Sequence, residues 1–113
     1  MGVDAVLMRV EQRGSSPKSR RLTPAATALD HNDSFVHLVD QIRGRSMNPM
    51  LERIDPYGSV ILTSAEMPQL IEELARLRAF AVTAEDVRVI REFEDLAREC
   101  AANPALELHL DGD

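Results

Sequence analysis

Eight residues, Asp30 to His37 (DHNDSFVH), hold two of the chain's three histidines and two carboxylates, the highest local density of possible metal or proton-transfer groups in the sequence. His31, Asp33 and His37, with Asp30 as a fourth donor, carry the atom types of a zinc site, and Asp33 and His37 at i, i+4 would share one helical face. The sequence supplies neither the four declared ligands nor the spaced His-Glu-x-x-His pattern that usually marks such a site. A calcium loop starting at Asp30 begins correctly with Asn32 and Ser34. It then fails, because Phe35 stands where the turn needs glycine and Gln41 where the bidentate glutamate belongs. Asx side chains are favoured at helix entrances and acids in the first turn, so Asn32 or Asp33 is expected to cap a helix that opens here. Neither a metal nor another cofactor is expected, and ligation by the histidines near 30–37 is the alternative.

The remaining chemical groups read the same way. Cys100, the only cysteine, falls on an apolar helical stripe near a C-terminal end, where the helix dipole opposes a thiolate. Ser15 and Ser16 have no histidine at a readable spacing, and no nucleophile-elbow pattern exists. Five glycines, at 2, 14, 44, 58 and 112, are too scattered to cradle a phosphate. Glu72 with Glu73, and Glu92 with Glu94 and Asp95, resemble paired carboxylates but occupy polar helix faces, where solvation is the simpler account. His109 is expected on the wet face of a final strand. No catalytic residue is assigned.

The elements that would position these groups follow from periodicity. Val3 to Val10 is apolar on both alternating faces, which suits a strand lying centrally in a small sheet. Arg13 to Arg21, RGSSPKSRR, has almost nothing to bury, and a mobile basic loop is expected at about 13–24, followed by a small-residue connection to Leu29. Phe35, Leu38, Val39 and Ile42 mark a short amphipathic helix ending near Gly44. Asp55-Pro56-Tyr57-Gly58 has the residue needs of a type I turn, because proline presets φ and Asp accepts a local backbone hydrogen bond. Ser59 to Thr63 is a β-branched strand; Thr63 and Glu66 have capping-box spacing before a helix carried by Met67, Leu70, Ile71, Leu74 and Leu77. Thr83 caps another helix, whose buried stripe is read as Val87, Ile90, Phe93, Leu96, Ala97 and Cys100. Asn103-Pro104 stops it, and Leu106, Leu108 and Leu110 alternate with Glu107, His109 and Asp111 in a last strand.

The expected fold is therefore α+β: a single-domain two-layer sandwich over 1–113, about three strands with three helices, in the order β-α-β-α-α-β. Narrow sheets expose unpaired edges, so a homodimer through a sheet edge is a possible partner arrangement.

Nineteen acidic against thirteen basic residues give a net charge of -6, unevenly spread: residues 1–24 carry +3 and the rest -9. Such a balance disfavours nucleic acid and anionic membranes as partners. No apolar run spans a bilayer and the N-terminus lacks a signal-peptide pattern, so a soluble cytoplasmic protein is expected. By elimination, the expected role is a non-catalytic protein-binding or regulatory module, of the inhibitor or immunity type. Its acidic binding face would be Glu85, Asp86, Glu92, Glu94, Asp95 and Glu99. The alternative is a small-ligand or metal-dependent enzyme using His31, His37 and His109.

Overall fold

The computed structural model describes residues 2–12 and 20–112. Among them, β1 (Val3–Gln12) and β2 (Arg20–Ala28) form a hairpin, followed by α1 (Ser34–Ile42), β3 (Ser59–Thr63), α2 (Met67–Leu77), α3 (Ala84–Ala102) and β4 (Leu106–Gly112). The strands make one antiparallel sheet in the order β2-β1-β4-β3, with the three helices on one face. The architecture is α+β with four strands, one more than the sequence pattern indicates.

The additional strand is β2. Arg20 to Pro24, read from sequence as the end of a mobile loop, are extended and paired with β1; Arg13 to Ser19, the rest of that loop, lie outside the described residues. The segment RRLTPAATA conceals its strand because Pro24 lacks a ladder donor and its alanines give no apolar alternation. Both defects are tolerated because β2 is an edge strand and its register with β1 shifts at Leu7/Met8, opposite Ala26 and Pro24.

Why the helices seal one face follows from alternation. Val3, Ala5 and Leu7 of β1, Val60 and Leu62 of β3, and Leu106, Leu108 and Leu110 of β4 turn inward and are buried. Against them pack Phe35, Leu38, Val39 and Ile42 of α1, Met67, Leu70, Leu74 and Leu77 of α2, and Ile90, Phe93, Leu96, Ala97 and Cys100 of α3. The rings of Phe35 and Phe93 meet at 4.2 Å between centroids, joining α1 to α3. The α3 stripe departs from its sequence reading at one turn: Val89 is fully buried and Val87 is 39% exposed, because the contacting face is rotated toward residue 89.

Local signals set the ends of these elements. The Asp55 turn closes as expected, with Gly58 N–H donating to the Asp55 carbonyl at 3.1 Å and Tyr57 N–H to Asp55 Oδ1 at 2.8 Å. Thr63 N–H donates to Glu66 Oε1 at 2.9 Å in a single 3-10 turn that precedes α2. Thr83 Oγ1 accepts from Asp86 N–H at 3.0 Å and Asp86 Oδ2 accepts from Thr83 N–H at 3.1 Å, a reciprocal cap on α3. Among the described residues no helix is long and apolar enough to cross a membrane.

Candidate functional site

The chemistry-rich stretch between β2 and α1 serves the backbone. Asp30, 7% exposed, accepts three backbone N–H groups: Phe35 on Oδ1 at 2.7 Å, and Val3 and Val36 on Oδ2 at 3.1 and 3.3 Å. It thus caps α1 from outside the helix and ties that helix to the first residue of β1. Burial raises the Asp30 carboxyl above its ordinary value, against the opposing pull of the three N–H donors. Asn32 and Asp33, expected from sequence to cap, instead take left-handed backbone conformations, φ 58° and 59°, which Asn and Asp tolerate better than most residues. The Asp33 side chain makes no capping hydrogen bond. The capping function falls to Asp30, whose carboxylate reaches the Phe35 and Val36 N–H groups across the left-handed turn at Asn32 and Asp33.

The histidines divide between the two sides of the sheet. His31 and His37 are exposed, His31 close enough to Glu85 and His37 to Asp86 in the first turn of α3 to act on their carboxyls, while His109 projects from the outer face of β4. Among the described residues, no group of three or more His, Cys, Asp or Glu side chains is placed to hold a metal ion. Cys100 is fully buried, and burial pushes its thiol up to about 11.

The six carboxylates read as an acidic face on α3 are held in different ways. Arg88 forms ion pairs with both Glu85 and Glu92, one turn to either side of it. The Arg88 hydrogen bond is also what chiefly lowers the Glu85 carboxyl, with His31 adding to it. Asp86 is lowered first by the Val82 N–H and then by its cap with Thr83. Glu94 is 1% exposed and paired with Arg78 and Arg98, and Asp95 lies 3.6 Å from Arg98. Glu99 is exposed. Much of the negative charge on this helix is thus compensated within the chain.

The outer face of the sheet is different. Alternation that buries Val3, Ala5 and Leu7 sends Asp4, Val6, Met8 and Val10 outward, and the pairing sets Thr27, Val6, His109 and Ile61 in one cross-strand row. Pro24, Met8, Glu107 and Thr63 form the next row, and Leu22 and Val10 lie beyond it. Ile61 is 50% exposed and Leu22 40%, and Val6, Met8 and Val10 are half-buried. The sequence reading of a wet face on β4 is corrected here: Glu107 and His109 are 6% and 8% exposed. β4 is a central strand, so its outward side chains are flanked on both sides, and Arg20 reaches across from β2 to form an ion pair with Glu107. His109 Nε2 lies 2.8 Å from Glu107 Oε1, so that carboxylate is engaged by both neighbours.

This trio escaped sequence reasoning because Arg20 is 87 residues from Glu107 and sits in a segment read as loop. The available signal was the apolar outer register of β1, Val6, Met8 and Val10, which a solvated face does not need. No protein-family model matches the chain, and neither a curated protein nor a solved structure matches it.

Proposed function

We propose that the protein is a non-catalytic protein-binding module whose docking surface is the outer sheet face, occupied by a second copy of the chain. The observation that carries this reading is the composition of that face: Val6, Met8, Val10, Leu22 and Ile61 surround a polar trio, Arg20, Glu107 and His109, already joined within the chain. A partner can cover Arg20, Glu107 and His109 without stranding a charge, which is the main cost of burying polar groups at an interface. The occupant follows from how charge runs along the strands. Asp4 and Asp111 pair across β1 and β4 at one end, and Arg20 stands at the other. A two-fold axis across the strands sets the acidic end of one copy against the part of the Arg20 side chain of the other that stays exposed, 40% of it, beside Glu107, the self-complementarity that an isologous interface requires.

Edge pairing, the arrangement inferred from sequence, is less well supported. The β2 edge carries Arg20, Arg21, Pro24 and a register shift, and β3 has only five residues, all devices that blunt edges. The acidic face of α3 is also less well supported as a docking surface, because Glu85, Glu92, Glu94 and Asp95 are paired with arginines of the chain, which leaves exposed Glu99 for a basic partner. We place the protein in the cytoplasm, where a single buried thiol needs no oxidised partner.

Sedimentation equilibrium of the wild type and of Ile61→Lys tests the docking surface. The wild type is expected to dimerise at concentrations on the order of 100 µM or below, and Ile61→Lys to weaken the dimer by about tenfold or more. A wild type that stays monomeric, or a dimer indifferent to Ile61→Lys, overturns the proposal.

A further inference from the structure

α3 and the single 3-10 turn after α2 (Arg78–Phe80) enclose a groove of about 300 Å³ lined by Arg78, Val87, Arg91, Glu94, Asp95 and Arg98. The sequence places five of these on one side of α3: Val87, Arg91, Glu94, Asp95 and Arg98 follow at steps of one, three or four residues. The floor of the groove is Glu94, with a side chain only 2% exposed. Its two oxygens hold two arginines, Oε1 the Arg78 guanidinium and Oε2 the Arg98 Nη2 at 3.2 Å. Those arginines are themselves more than half exposed, 55% and 56%, so they are anchored at the base while other N–H donors stay open to the groove.

Arg91 has a different standing. It is exposed, lines the same groove, and makes no hydrogen bond or ion pair with any described residue. Three guanidiniums against two carboxylates leave one uncompensated positive charge in a chain whose net charge is -6.

We propose that this groove binds a small aliphatic carboxylate, with Arg91 as the free fork and Arg78 and Arg98 as donors oriented by Glu94. Arginine's planar fork matches a carboxylate in a two-bond geometry. The single excess charge is balanced by a monoanion, whereas a phosphate dianion would meet the added repulsion of Glu94 and Asp95. Val87, 39% exposed at the rim, offers an apolar contact for a short hydrocarbon stem. A volume of about 300 Å³ accommodates a small molecule rather than a folded partner. This site stands apart from the outer sheet face.

The test is an NMR titration of the full chain with butyrate and, separately, with inorganic phosphate, following the arginine Nε–H resonances. Butyrate is expected to shift Arg78, Arg91 and Arg98 saturably, and to bind more tightly than phosphate. Arg91→Gln, an exposed substitution, is expected to weaken butyrate binding by about tenfold while the rest of the spectrum is unchanged. The proposal is overturned by any of three results: no saturable shift with butyrate, phosphate binding more tightly, or Arg91→Gln binding butyrate as the wild type does.

Discussion

Asp30 shows how a residue whose type suits catalysis is absorbed by the fold. Its carboxylate accepts the N–H groups of Val3, Phe35 and Val36, and its own N–H donates to Asp4 Oδ1 at 2.9 Å. Asp30→Ala strands three backbone donors in a buried setting. The expected loss is roughly 2 to 4 kcal/mol of unfolding free energy, read by urea denaturation. The pH dependence has a defined sign. Burial is the largest influence and raises the carboxyl above 3.8, so the folded state holds this proton more tightly than the unfolded chain does. The stability Asp30 contributes is therefore fullest below about pH 4 and declines as pH rises through the raised value. Urea midpoints of the wild type and of Asp30→Asn, compared between about pH 3 and about pH 7, are expected to show the wild-type advantage shrinking as pH rises. An advantage that grows with pH would mean the three N–H donors outweigh burial. From sequence, Asp30 to His37 was legible as a helix entrance but not in its details. Which Asx residue caps depended on the left-handed turn at Asn32 and Asp33, and periodicity does not encode that.

At the scale of elements, the strands and helices with strong alternation or caps were readable: β1, β3, β4 and the three helices all carry an apolar period or a defined start. β2 was not, because an edge strand needs neither continuous ladder donors nor a buried stripe, and Pro24 with its neighbouring alanines shows neither. The same limit applies to the connection between α1 and β3, whose local pattern is weak. Its order comes from α2: Glu73, fully buried, accepts from Leu51 N–H at 2.9 Å, Met50 N–H at 3.3 Å and Gln69 Nε2 at 2.9 Å. Arg76 adds Nε to Asn48 Oδ1 at 2.9 Å and Nη2 to the Met47 carbonyl at 3.0 Å. Sequence placed Glu73 on a solvated helix face, since a 22-residue separation from Leu51 hides the contact. Glu73→Ala is expected to destabilise the protein by about 2 to 4 kcal/mol. Amide exchange should show Met50 and Leu51 losing protection first, ahead of the strands. Uniform loss of protection across the sheet would show instead that the connection unfolds only with the whole domain.

At the scale of the molecule, the sheet has one face sealed by helices and one face whose central charges are already paired. That asymmetry, with acid at one end of the strands and Arg20 at the other, is what makes a second copy the fitting occupant. The sequence pointed to a surface-presenting module through its charge and its lack of a catalytic pattern, yet the surface it suggested, α3, is largely compensated by Arg78, Arg88 and Arg98. The outer face was hidden because it assembles from four strands that are distant in the chain. Isotope-filtered NMR on a mixture of labelled and unlabelled chains tests the central claim most directly, since only contacts between copies give signal. The expected result is intermolecular contact from the methyl groups of Val6, Met8 and Ile61; its absence, or contact confined to α3 or to the strand edges, would contradict docking through the outer sheet face.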